Sequence, residues 1–292
     1  MNWLANKFFD CQYPILAVAM NRVSDIDFAI EVSKAGAYPS LSLFNYLKDE
    51  DSIDYVHFKN DLDKFQKQFG HCNFVLSLDN KTLNKSIAKL INHYKISHLE
   101  IIIDGYIDTN IIDEIKSFGT KILIKVTNLI NIKTKSFADA FILKGSESAG
   151  TTGGLSLNDQ IKLCQILFPN MPIIASGGIG NSKRVKELLD MGVVAVGIGT
   201  LFATTKESCL SDEAKERLTK MKNISKIGNQ NAIVFSQVLN DDKNHTKGLI
   251  AGIKTGITGH IFVGHGITDV EEILPIKSVI DKLMLDNHCD FI

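Results

Sequence analysis

Ile173-Ile174-Ala175-Ser176-Gly177-Gly178-Ile179-Gly180, followed in the next unit by Val196-Gly197-Ile198-Gly199-Thr200, is the most telling pair of stretches in this chain. Each is a short apolar run, rich in β-branched residues, that stops at glycines. A strand covered on both faces reads this way, because neither face needs to alternate with polar residues. The first run leads into a helix capped by Asn181 or Ser182, with Val185, Leu188 and Leu189 on one face and Gly192 past its end. The next strand follows at once, so strand, helix and strand form a βαβ unit with parallel strands.

The same rhythm extends towards the N-terminus. The pattern predicts strands over residues 15–20, 39–44, 74–78, 98–104, 121–126, 138–144, 172–176 and 193–198. Helical spacing lies between most of them. Ser24-Asp25-Ile26-Asp27 reads as a capping box before Ile26, Ala29 and Ile30, with Gly36 past the end. Residues 61–69 form a helix candidate, and Leu83, Ile87, Leu90, Ile91 and Tyr94 share one face of the next. Residues 111–118 stop at Gly119, and residues 156–168 follow the sixth strand. The segment after residue 126 is only weakly helical. Eight βα units point to an α/β fold, a (β/α)8 TIM barrel over about residues 14–210. An open doubly wound sheet is the alternative, since pattern alone does not close a barrel.

From Ser211 the rhythm changes. Ala214, Leu218 and Met221 predict one helix, and Val234, Phe235 and Val238 another. A glycine-rich stretch over 248–266 and a last helix over 275–284 complete the chain. The expectation is a single domain over residues 1–292, with a C-terminal helical and glycine-rich extension over about 211–292 packed on the barrel. An independent second domain is the alternative.

Composition narrows the function. Across 292 residues, 32 Lys and Arg balance 33 Asp and Glu, a net charge of −1. A surface devoted to nucleic acid or to an anionic membrane needs a basic excess, so neither partner is expected. Five cysteines, an odd number with no C-x-x-C pair, read as reduced thiols rather than as a disulfide frame or a zinc site. His57, His71, His93, His98 and His288 show no metal-ligand spacing. No apolar run approaches the roughly 20 residues of a membrane span, and residues 1–7 lack the basic start and apolar stretch of a signal peptide. A cytoplasmic protein acting on a small-molecule substrate is expected. Oligomeric state is not written in these features.

The glycine turns carry the chemistry. Without Cβ atoms, backbone N–H groups can approach an anion closely, and the helix that follows adds a favourable dipole. In α/β barrels the loops after strands seven and eight are the usual phosphate site. One such turn is equally a tight βα connection; two in consecutive units favour phosphate.

Four segments in order carry a resemblance. They are 14–20, residues 29–36 with Val32-Ser33-Lys34-Ala35-Gly36, the loop Gly145-Ser146-Glu147-Ser148-Ala149-Gly150, and the glycine turns running on into Phe202-Ala203-Thr204-Thr205-Lys206-Glu207-Ser208. Together, over about residues 14–208, they resemble the nitronate monooxygenase (2-nitropropane dioxygenase-like) family, which is related to the flavin-type enoyl-acyl carrier protein reductases. The resemblance implies FMN in the barrel mouth. Gly177, Gly178, Gly199 and Thr200 would hold its phosphate, with Ser176 as a hydroxyl donor. Ala19 and Met20 would lie against the isoalloxazine ring. Lys125 matches a flavin-contacting lysine, a cation suited to stabilising an anionic reduced ring. Lys144 stands where the family more often has an amide, either contacting the ring or pairing with Glu147. Ser77 sits near the place of a usual asparagine.

One departure bears on mechanism. The family's loop after strand six usually reads Glu-Ala-Gly-Gly-His, and its histidine is the catalytic acid or base. Here that position is Thr151, whose hydroxyl hydrogen-bonds but does not exchange a proton near neutral pH as imidazole does. Thr151 and Glu147 are the candidate catalytic positions, Glu147 either orienting substrate or capping a loop. His260 and His265 either fold over the mouth as a replacement base or are ordinary loop residues. The implied function is an FMN-dependent oxidoreductase that oxidises a small anionic substrate with oxygen. The alternatives are a flavin-dependent enoyl reductase using NAD(P)H, and a flavin- or phosphate-binding barrel without the family's acid–base chemistry.

Overall fold

The computed structural model describes residues 8–48, 52–103, 107–129, 137–235 and 242–285, with 242–246 as backbone only. Eight parallel strands close into a barrel: β1 (Ile15–Ala17), β2 (Tyr38–Ser42), β3 (Val75–Asp79), β4 (His98–Ile102), β5 (Lys121–Val126), β6 (Ala140–Lys144), β8 (Ile173–Ser176) and β9 (Ala195–Ile198). The short β7 (Gly150–Thr151) lies outside this ring. Closure is made by β1 and β9, where Ile15 sits opposite Val196 and Ala17 opposite Ile198. The fold is a TIM barrel, not an open sheet.

Strand sequences explain the closure. In β5, Ile122 and Ile124 belong to the outer core beneath the helices, whereas Leu123 points into the barrel. Phe141 and Leu143 of β6 face outward, Ala140 and Ile142 inward. Strands apolar on both faces need cover on both, and a closed barrel supplies it. The inner cluster of Phe9, Leu16, Tyr38, Val75, Leu123, Ile142 and Ile174 fills the N-terminal half of the barrel. Two residues further along the same strands, and so on the same inward face, stand Ser77, Lys125, Lys144 and Ser176. The barrel therefore has an apolar floor and a polar mouth.

The helices are α1 (Ile26–Lys34), α2 (Tyr55–Phe69), α3 (Lys85–Tyr94), α4 (Thr109–Ser117), α5 (Leu157–Leu167), α6 (Ser182–Asp190), the single turn α7 (Thr200–Ala203), α8 (Asp212–Lys220), α9 (Asp242–Thr255) and α10 (Ile276–Met284). None described is long and apolar enough to cross a membrane. Asn181 caps α6 through Arg184 N–H. At α1 the cap is Asp25, which accepts from Phe28 N–H, while Ser24 bonds back to Met20. A capping box from Ser24 to Asp27 is thus not formed, because the turn at Met20 already holds the Ser24 hydroxyl.

Several boundaries shift. Strand β1 ends at Ala17, so Ala19 and Met20 lie in the loop that follows. Strand β2 gives way to a 3₁₀ turn over Leu43–Tyr46, and α2 begins at Tyr55, ahead of the predicted 61–69. Residue 104 of the fourth predicted strand and residues 130–136 after β5 lie outside the described residues.

The extension corrects one reading outright. Val234 and Phe235 were expected on a helix; instead β11 (Gln230–Val234) pairs antiparallel with β10 (Ser225–Ile227) and β12 (His260–Phe262). Ile227 opposite Gln230 leaves Gly228 and Asn229 as a two-residue hairpin turn, with Gly228 at φ 59°. Val238 lies outside the described residues. Strand β7 joins the other edge, with Thr151 opposite Gln230. The last helix, α10, packs against α6, α1 and α7, so the extension lies on the barrel.

Candidate active site

The polar mouth opens into a cavity of about 270 Å³. All ten residues expected to hold the cofactor line it: Ala19, Met20, Ser77, Lys125, Lys144, Ser176, Gly177, Gly178, Gly199 and Thr200. The extension contributes Gln230, Leu249, Ile261 and Phe262 to the same wall.

The glycine turns owe their shape to their neighbours. Gly177 and Gly178 have φ of 124° and 65°, values that favour glycine. A Cβ on Gly177 would stand 2.3 Å from the Ser148 hydroxyl, and one on Gly178 would stand 2.8 Å from the Glu147 Cβ. The loop after β6 is therefore packed directly against the loop after β8, tied further by Ser148 Oγ donating to the Ser176 carbonyl at 3.0 Å. Gly199 precedes α7, and a Cβ there would lie 3.0 Å from Val18 Cγ2. The Thr200 hydroxyl accepts from Gly264 N–H at 3.0 Å, which links the extension to the turn after β9.

Beneath the cavity lies a buried charged group that motif reading missed. Glu100, at the middle of β4, is fully buried, and its Oε1 meets Lys125 Nζ at 2.6 Å and accepts from Ser77 Oγ at 2.7 Å. Its Oε2 is buried without a hydrogen-bond partner. Lys125 is thus one half of an enclosed ion pair. The signal was a lone carboxylate between Leu99 and Ile101 in an apolar strand, a place where a charge needs a partner.

Lys144 ends β6 and donates from Nζ to the Ala149 carbonyl at 2.9 Å. Removal from water and the nearby Lys125 cation push its amine down to about 7, with Glu100 pulling weakly the other way. It makes no pair with Glu147, whose carboxylate accepts from Leu157 N–H at 3.1 Å at the start of α5.

Glu147 lines a neighbouring cleft with Arg184, His265 and Asp269, and its carbonyl accepts from His265 N–H. Thr151 is exposed on β7, and its hydroxyl accepts from Gln230 Nε2 at 3.3 Å. Gln230 and Gly150 line the mouth cavity; Thr151 does not. His260 is buried against Phe262, with ring centroids 5.0 Å apart, and His265 is exposed at the cleft. Neither histidine lines the mouth cavity. Asn231 of β11, also unforeseen, donates to the Ser146 and Ser148 carbonyls at 3.0 and 2.7 Å, clamping the extension to the loop after β6.

Comparison with known proteins agrees with this arrangement. The sequence model of the nitronate monooxygenase family matches residues 59–229, more than half of the chain. A Staphylococcus aureus protein described as "Probable nitronate monooxygenase" is 24% identical over 266 residues, covering 75% of this chain and 74% of that protein. Among solved structures, a FabK mutant from Thermotoga maritima superposes with a TM-score of 0.80 at 20% identity, covering 98% of this chain and 96% of that one. Nitroalkane oxidase from Streptomyces ansochromogenes gives 0.73 at 16% identity, covering 96% and 97%. These two share the fold. With the barrel, its paired glycine turns and the family match in agreement, the chain belongs to the nitronate monooxygenase family.

Proposed function

We propose that this protein is an FMN-dependent oxidoreductase that oxidises a small anionic substrate with oxygen. The observation that carries the reading is that ten residues chosen from separated segments of the sequence line one cavity at the barrel mouth. The cavity fits the cofactor chemically. Glycines at 177, 178 and 199 keep side chains away from the turns where a phosphate would approach, and Ser176 and Thr200 add hydroxyls beside them. Ala19 and Met20 give a mixed apolar wall for a ring, and Lys125 and Lys144 give polar contacts. When bound, the flavin supplies the electron-accepting chemistry and the route to oxygen.

The chain's own residues provide the setting. The Lys125–Glu100 pair is internally neutralised, so the amine of Lys144 supplies the cationic character that draws an anion in. Leu249, Ile261 and Phe262 cover the mouth with apolar surface, which excludes water and strengthens the electrostatics beneath. In this reading Thr151 works through Gln230, and Glu147 works by holding the start of α5 against the glycine turns.

The test is flavin analysis of the purified protein followed by oxygen uptake with propyl nitronate. The expected outcome is bound FMN and nitronate-dependent oxygen consumption. Rapid reduction by NADPH without nitronate oxidation would shift the assignment to an enoyl reductase. Absence of FMN binding would overturn it.

A further inference from the structure

We propose that Lys144 is the proton-transfer residue of the mouth cavity, accepting a proton from the acidic carbon of a neutral nitroalkane. This rests on the oxidoreductase reading and extends its substrates from preformed anions to their neutral carbon acids.

The argument is one of placement. Among the described residues that line the cavity, the ionisable side chains are Lys125 and Lys144. Lys125 is committed at 2.6 Å to the buried Glu100 carboxylate. Among the described residues Lys144 has no such partner: its Nζ donates to the Ala149 carbonyl, in the loop after its own strand. A neutral amine can keep that bond through one N–H and still offer its lone pair. Thr151, which the resemblance sets at the place of the family's histidine, is exposed and does not line the cavity, and neither do His260 and His265.

The surroundings set the working range. Charged groups act on Lys144 from the adjacent β5, which carries Lys125, and from the next strand beyond it, β4, which carries Glu100. On its other side, β8 presents the uncharged Ser176 opposite it in register. Burial and the Lys125 cation bring the amine to about 7, so neutral and charged forms coexist near neutral pH, as proton transfer requires. In the step itself, the substrate C–H bond breaks and its electron pair stays on the substrate, delocalised into the nitro group. The proton forms a new N–H bond on Nζ, and the resulting ammonium sits beside the anion it created. The proton returns to solvent after the product leaves.

The experiment follows loss of the C2 proton of 2-nitropropane into D₂O by NMR, anaerobically, with the flavin-loaded protein. Wild type is expected to catalyse exchange, with a rate that rises through pH 7. Lys144→Met and Lys144→Arg are expected to lose about 10²-fold or more of it, the usual worth of a placed base. The arginine variant keeps the positive charge but cannot give up its proton, so it separates charge from proton transfer. Lys144→Arg, which keeps the charge that draws the anion in, should retain more of its oxygen uptake with propyl nitronate than Lys144→Met, although both lose exchange alike. Carbon-13 spectra of ε-labelled lysine, with and without flavin, should show one resonance titrating near 7 that is missing from Lys144→Met. Absence of exchange in wild type, persistence of exchange in either variant, or titration of Lys144 with the ordinary lysines would overturn the proposal. Failure of wild type to oxidise the nitronate while exchange proceeds would instead overturn the oxidase reading alone.

Discussion

Lys144 shows how a single residue ties the site to the stability of the fold. Its folded value of about 7 lies below the ordinary 10.5, because burial and the Lys125 cation disfavour the charged form. Between those values the unfolded chain binds more protons than the folded one, so stability rises with pH across that window. Below about 7 both states are protonated, and the penalty stays constant. Lys144→Met removes the titrating group. Denaturant midpoints measured from pH 7 to 10.5 should therefore climb in the wild type and lie flatter in the variant. At pH 7 the variant, which buries no charge, should be the more stable. A steeper climb in Lys144→Met than in wild type would contradict this. The lysine itself was legible as a candidate through the resemblance, at a position where the family more often has an amide, and it lines the cavity. Its protonation was not, because that depends on Lys125 and Glu100 arriving from two other strands.

At the scale of elements, the extension meets the barrel through a small set of polar bonds. Asn231 of β11 holds two carbonyls of the loop after β6 and is almost fully buried. Asn231→Leu strands both acceptors, and each buried unsatisfied group typically costs ~1–3 kcal/mol. The expected outcome is faster amide exchange in β11, β7 and residues 145–150, with the barrel strands unaffected, as mass-resolved hydrogen exchange would show. Uniform acceleration throughout the barrel would mean that the extension is not a separately loosened layer. The barrel strands were legible because period and apolarity mark them locally. Strand β11 was not, since Ile233, Val234 and Phe235 serve a helix face or a strand equally well and the Gly228-Asn229 turn was the deciding signal. Strand β7 has two residues and exists only because β11 lies beside it. Such non-local pairing leaves no mark in a short window of sequence.

The whole molecule is a barrel with two differently filled halves. Aromatic and aliphatic side chains such as Phe9, Tyr38 and Leu123 pack one half, and the Ser77–Glu100–Lys125 group together with Lys144 occupies the other. This division follows from extending each strand's inward alternation by one step, so the site's wall could be read from sequence once the barrel was assumed. Its roof could not, because Gln230, Leu249, Ile261 and Phe262 come from a region whose fold was only partly read. The central claim is that the turns after β8 and β9 hold the phosphate of FMN. Gly199 offers the sharpest probe: its φ of −119° suits any residue, whereas an added side chain must push against Val18 at the cavity wall. Calorimetric titration of flavin-stripped protein with FMN tests the claim most directly. The account predicts saturable binding of one FMN per chain that is weakened at least tenfold, about 1.4 kcal/mol, in a folded Gly199→Val variant. No binding by the wild type, or equal affinity in the variant, would contradict it.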